Sequence, residues 1–175
     1  MKSLRPALAF LLIASVAASA SAQGGNRRRI VTPPAVPANP QALSALQQDL
    51  ITAIDSMKSA LPIYDGNRVR AIHQAHQTLQ IVDKAISGVN ALKRAMPAVT
   101  DHVPSGTAHA KYNSQEIQTS QASMRKGLAA LQQAWKDMQS AAGSNPNRQA
   151  INASKHLQTS QSEASTAIAL HASQG

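Results

Sequence analysis

Apolar residues recur at alternating steps of three and four along four long segments of this 175-residue chain, and this spacing constrains the fold more than any other feature. Such a period places the apolar side chains on one face of an α-helix. No long segment alternates apolar and polar residues with period two, the pattern of a half-buried strand. The sequence therefore predicts an all-α fold. The clearest stripe consists of Ile72, Ala75, Leu79, Val82, Ile86 and Val89.

Prolines, glycines and capping residues set the predicted ends of the helices. Pro62, Pro97 and Gly143 are expected to end the first three helices. Asn39-Pro40 and Asn145-Pro146 are expected to begin the first and the fourth, with Asn as the cap and Pro at the first helical position. The predicted helices span about 41–61, about 67–96, from between Ser105 and Ser114 to Gly143, and about 147–172.

Two short turns predict two antiparallel helical hairpins, at about 41–96 and about 114–173, joined by a longer connection at 97–113. Two hairpins of similar length bury their apolar stripes most simply against each other. We therefore expect residues 41–175 to form one domain, an antiparallel up-down-up-down four-helix bundle.

Short blocks repeat in the same order in both predicted hairpins. The pattern Leu-x-Ala-Leu-Gln-Gln occurs at 43–48 and at 128–133, Asn-Arg at 67–68 and 147–148, and Leu-Gln at 79–80 and 157–158. A single hairpin cannot bury its own apolar stripe, and pairing two copies removes that difficulty. The sequence therefore predicts a duplicated hairpin.

The stretch 61–88 adds a likeness to a known kind of module. Its turn reads Asp65-Gly66-Asn67-Arg68, and its second helix carries an Ala-Ile pair at 85–86. This resembles the helical-hairpin repeats of exported bacterial proteins, in which a Gly-Gly-His-Arg or similar turn joins two helices. The resemblance implies a helical hairpin and export, and implies no activity. Asn67 stands where that family tends to have His, which removes a metal role from that position.

The first 22 residues have the three parts of a secretory signal. Lys2 and Arg5 precede an apolar run at 7–18, and Ala20-Ser21-Ala22 supplies the small residues of a cleavage site. We predict removal of residues 1–22, a Pro-rich basic linker at 23–40, and a periplasmic or secreted protein. No later apolar run reaches the length of a membrane helix, so a soluble mature protein is expected.

Composition narrows the classes of function. The chain has no Cys and only 2% aromatic residues, and its net charge is +9. The lack of Cys excludes Cys-ligated cofactors. The scarcity of aromatic side chains, which would stack on bases, argues against nucleic acid as a partner in spite of the positive charge. Only two Glu are present, so the Glu-rich di-iron site of helical bundles is excluded. No phosphate-binding Gly-rich loop or Gly-x-Ser-x-Gly turn occurs, and neither an enzyme activity nor a cofactor is predicted.

Two sets of residues remain as candidates for binding. Arg68 and Arg148 recur at predicted helix N-termini, where a cation is disfavoured, and they are either structural or contacts for an anion or glycan. His73, His76 and His156 are candidate metal ligands, since His73 and His76 lie one turn apart on the same helix. A less defined set, Asp101, His102 and His109, lies in the long connection.

Together these features predict an exported, non-enzymatic helical bundle that acts as a binding or structural module in the cell envelope, with self-association as one way of working. The alternative is a periplasmic bundle that binds zinc or copper through the three histidines. The partner is not identified by the sequence.

Overall fold

The structure, a computed structural model, describes residues 39–87, 94–143 and 146–172. These residues form four long helices and no strand, so the predicted all-α four-helix bundle is confirmed. The predicted signal and nearly all of the predicted linker lie outside the described residues. The helices are α1 (Pro40–Lys58), α2 (Asn67–Ser87), α3 (Ser114–Ala142) and α4 (Arg148–Ala172), and a 3-10 turn (Ser105–Thr107) and one helical turn (Ala108–Lys111) precede α3.

Asparagine side chains begin three of the helices. Asn39 caps α1 as predicted, accepting a hydrogen bond from the Gln41 amide at 3.1 Å. Asn113 and Glu116 form a reciprocal capping box at the start of α3. The cap of α4 is Asn147, which accepts from the Ala150 amide at 2.8 Å. The expected cap at Asn145 was therefore two residues early, because the helix begins at residue 148, beyond the proline rather than on it.

The prediction that the second helix runs to residue 96 is wrong at its end. Residues 88–93, with Val89 of the predicted stripe, lie outside the described residues, and residues 94–104 are not helical. Arg94 Nε donates to Asp83 Oδ2 at 2.7 Å, and its carbonyl oxygen accepts from Gln80 Nε2 at 3.2 Å. Further along, the Val103 amide donates to the Pro62 carbonyl at 3.0 Å, near the start of α2. Residues 94–104, here called the strap, therefore return along α2 in the opposite direction.

Each helix has two neighbours and runs antiparallel to both. α1 and α4 each pack against α2 and α3. The Leu61 amide, just beyond α1, donates to Ser120 Oγ near the start of α3. At the other interface, Thr78 Oγ1 in the middle of α2 donates to the Ala153 carbonyl near the start of α4, and Ser160 Oγ, further along α4, donates to the Ala71 carbonyl near the start of α2. The directions of α1 to α4 are therefore up, down, down, up.

The antiparallel packing of neighbours is as predicted, and the chain order of directions differs from up-down-up-down. The difference arises in the connection before α3. A short turn after α2 would have started α3 at the far end, beside the end of α2. The strap instead carries the chain back to the end where α2 began, and α3 starts there.

Small residues let the last turns of α1 pack closely against the middle of α3. A Cβ at Gly127 would lie 2.6 Å from Met57 Cγ and 3.2 Å from the Ala53 carbonyl oxygen. Only glycine fits this crossing without movement of α1, and Ala53, Ala134 and Met57 are fully buried around it. Small residues thus line the interface where the two hairpins meet.

Candidate functional site

Arg68 is the most enclosed cation among the described residues. It lies in the first turn of α2, after a turn in which Asp65 and Gly66 both adopt the left-handed region, with φ of 50° and 80°. Its side chain is 4% exposed and that of its partner Asp101 is 1% exposed. Nε donates to Asp101 Oδ1 at 2.8 Å, and Nη2 donates to the Thr100 carbonyl at 2.9 Å.

The third nitrogen of Arg68 forms a hydrogen bond at the end of α1. Nη1 donates to the Met57 carbonyl at 3.3 Å, one of the last carbonyls of that helix, which lack helical partners. Asp101 Oδ2 in turn accepts from the Gly66 amide at 3.0 Å. The ion pair therefore joins the end of α1, the turn before α2 and the strap. Its geometry explains why a cation is tolerated at the N-terminus of a helix, where the dipole opposes it.

The two Asn-Arg motifs have different surroundings. The Arg68 donors that were candidates for an external anion are occupied by groups of the chain itself. Arg148 is exposed at the start of α4. Asn67 is buried and donates to the Tyr64 carbonyl, whereas Asn147 is an exposed cap. The matching sequence therefore does not give matching contacts.

His76 has a buried side chain without a hydrogen-bond partner of good geometry. It is 2% exposed, and neither ring nitrogen makes a hydrogen bond of good geometry. Burial is the main cause that lowers the pKa of His76, with Arg94 and His73 acting in the same direction. The Ala95 backbone and Asp83 act in the opposite direction. The ring is therefore neutral at physiological pH.

The predicted metal ligands do not all come together. His156 Nδ1 lies 2.7 Å from Gln74 Oε1, and Gln74 and His76, two positions apart on α2, point to different sides of that helix. In the part of the chain that the structure describes, no three His, Cys, Asp or Glu side chains are arranged to hold a metal ion. Of the loop set, Asp101 is paired with Arg68 and His102 is exposed. Metal binding by His73, His76 and His156 stays a prediction.

A carboxyl pair across the α1–α3 interface was not anticipated. Burial raises the pKa of Asp49 from 3.8 to about 6, and a hydrogen bond and charge repulsion from Asp137 add to the shift. The sequence holds a weak signal of it, since Asp49 directly precedes the core residue Leu50 and Asp137 directly precedes Met138. Residues on the flank of an apolar stripe are those that a neighbouring helix partly covers.

A shallow cleft lies between the end of α1 and the start of α3. Ser59, Leu61, Asn113 and Glu116 contribute to its lining, with Ser120 at its base. Ser120 Oγ accepts from the Leu61 amide and lies 2.7 Å from the Tyr64 hydroxyl. Asn113 and Glu116 are engaged in the capping box. These polar groups of the cleft thus bond to one another or to the backbone where the end of α1 meets the start of α3.

No family model, curated protein or solved structure matches the chain. Within 39–87, 94–143 and 146–172, no helix has both the length and the apolar character needed to cross a membrane. Any functional argument therefore depends on the contacts of the chain itself.

The two arginines of the repeated motif provide a matched test of the buried ion pair. Replacing Arg68 by Met leaves Asp101 buried without its partner, and we expect the free energy of unfolding to fall by about 3–5 kcal/mol. Arg148→Met removes an exposed side chain and should change it by less than about 0.5 kcal/mol. Urea unfolding followed by circular dichroism measures both. Equal effects of the two substitutions would contradict the structural role of Arg68.

The Asp49–Asp137 pair predicts a pH-dependent stability. A carboxyl whose pKa is raised on folding stabilises the fold below its ordinary pKa, and this contribution is lost as the pH rises through about 6. Asp49→Asn should therefore raise the melting temperature at pH 7.5, by about 1–3 °C for a domain of this size. The gain should shrink towards pH 4. Asp55→Asn, on the exposed side of the same helix, is the control, and an equal gain for both variants would refute the interpretation.

Proposed function

We propose that this chain is an exported, non-enzymatic helical module of the cell envelope, which acts through the outer faces of its helices. The observation that carries the proposal is that the guanidinium group of Arg68 is bonded within the chain. This residue has the enclosed setting typical of a ligand-binding arginine, and each of its three nitrogens is bonded to the chain itself. Because these donors are bonded within the chain, we expect partners to contact the outer faces of the helices instead.

The outer faces of α3 and α4 support this proposal through their many uncharged polar side chains. Several exposed hydroxyls on them donate to the carbonyl four residues earlier, at 2.9–3.1 Å, and so are satisfied within their own helix. They are Thr119, Ser140, Thr159 and Thr166. Glutamine amides lie between them and provide neutral donors and acceptors. Exposed cations, among them Lys126 and Lys155, lie on the same two helices. A second copy of the chain is the simplest partner to test.

Export is tested first, with the full-length chain carrying a C-terminal tag in a bacterial host. We expect the protein in the periplasmic fraction or the medium, with a mass that corresponds to a start at Gln23. Ala22→Tyr places a bulky residue at the cleavage site and should leave residues 1–22 attached. Wild-type protein recovered in the cytoplasm with residues 1–22 still present would refute the proposal.

The processed protein is then examined by light scattering across a dilution series. A mass that rises with concentration supports action by self-association, and a constant monomer mass removes that part of the proposal. Melting curves with a tenfold excess of zinc or copper separate the metal-binding alternative, because a ligand that binds only the folded state raises the melting temperature. A rise of several degrees that is lost in His76→Leu would favour the alternative over the proposal.

A further inference from the structure

The first two turns of α4 carry two cations and one apolar side chain on their outer face. Arg148, Ile151 and Lys155 are spaced by three and by four residues, so their side chains project from the same side of α4. All three are exposed, and 44% of Ile151 is accessible. The buried Ala153 and Leu157 mark the other side of the helix, which faces the core. This end of α4 therefore presents cations and an isoleucine to the solvent.

Lys136 of α3 adjoins this surface. Ser154 Oγ donates to Met138 Sδ at 3.1 Å, and this bond gives the register between the two antiparallel helices. Lys136 lies two positions before Met138 and therefore at nearly the same height as Lys155. Lys136 is exposed, and its neighbour Trp135 packs partly against the core. We call the surface that these side chains form the basic face, and it consists of Lys136, Arg148, Ile151 and Lys155.

The ion pairs of the described residues leave all the cations of the basic face without a carboxylate. The acidic side chains of α3 and α4 are engaged elsewhere. Glu163 pairs with Arg70 of α2 at 3.0 Å, and Glu116 closes the capping box at the other end of α3. Asp137 lies on the side of α3 that faces Asp49 of α1. The basic face is therefore complementary to an anionic partner.

The shape of the basic face favours a broad partner over a small ligand. It lies on the outer side of two helices, whereas small molecules bind in concave sites that enclose them. Arg148 and Lys155 are about 10 Å apart along α4, so they reach separate anionic groups. A second copy of the chain docked by the same face would bring like charges together. An anionic bilayer instead offers a phosphate to each cation and room for an apolar side chain between its headgroups.

We propose that the basic face binds the surface of an anionic phospholipid bilayer, with its cations at the phosphates and Ile151 between the headgroups. This contact deepens the proposed function, on which it rests, by naming the partner of one outer face. Each Lys or Arg close to an anionic surface raises the partition coefficient by about fivefold. A few such cations and one isoleucine give a reversible contact that salt weakens.

Sedimentation of the purified protein with vesicles at low salt tests the proposal. Vesicles of phosphatidylglycerol and phosphatidylcholine in equal parts should bind it at least about tenfold more tightly than vesicles of phosphatidylcholine alone. Lys155→Gln should lower the partition coefficient by about fivefold, and Ile151→Ser by several-fold. Lys126→Gln removes an exposed cation of α3 outside the basic face and should lower it by less than about twofold. All three substituted side chains are exposed, so the variants should keep the fold.

The single Trp of the chain reports where the vesicle binds. Trp135 lies beside Lys136, so brominated lipids in the anionic vesicles should quench its fluorescence when the basic face docks. The three arginines at 27–29 offer a second source of attraction to anionic vesicles. Replacing them by Gln should leave the quenching at saturating vesicle concentrations unchanged.

Equal binding to both kinds of vesicle would overturn the proposal. So would a loss for Lys155→Gln no larger than that for Lys126→Gln, or binding that disappears when 27–29 alone is replaced. Binding to polyglutamate and not to the anionic vesicles would overturn it in favour of an acidic protein partner. Because the protein is purified, a failure to bind refutes this contact alone, and the export experiment decides the proposed function separately.

Discussion

The buried ion pair of Arg68 and Asp101 is the interaction on which the rest of this structure depends. It is nearly closed to solvent, so each charge relies on the other and on backbone groups for compensation. Through it, the last turn of α1, the turn before α2 and the strap share one joint. The strap lies more than 30 positions further along the chain than the other two segments. Val103 of the strap also joins Met57 and Tyr64 in the apolar core.

The path of the chain follows from that joint. Because the strap returns to the start of α2, α3 begins beside the end of α1, and all four neighbouring pairs of helices become antiparallel. This arrangement brings Gly127 against α1 and pairs each hairpin with the other along its whole length. The Ala95 backbone of the same strap lies at the buried His76, so one connection both sets the order of the helices and helps to enclose this histidine.

Much of the fold could be predicted from local patterns. The four helices follow from apolar spacing, and the cap at Asn39 from the preference of asparagine for that position. The direction of α3 could not be predicted, because it depends on the long-range bond between Arg68 and Asp101. The helical spacing also predicts a second helix that runs to residue 96. The helix instead ends at Ser87, and Arg94 pairs back with Asp83.

The sequence could single out the residues of the candidate site, but it could not predict what each of them contacts. His76 and Arg68 stand out in the sequence because each type is unusual at its place on a helix. Their partners come from the strap, whose residues carry no periodic pattern. Asp49 and Asp137 are 88 positions apart, and only the packing of α1 on α3 brings them together. A sequence pattern within one helix can point to a residue. Its chemistry depends on the partners that another segment of the chain supplies.

The direction of α3 is the most direct test of this account, and pairs of spin labels measure it. With cysteines at Lys58 and Gln115, the account predicts a distance below about 20 Å, because the end of α1 and the start of α3 lie at the same end of the bundle. With cysteines at Lys58 and Ser140, it predicts more than about 30 Å, from the rise of 1.5 Å per residue along α3. The reverse order of these two distances would contradict the account.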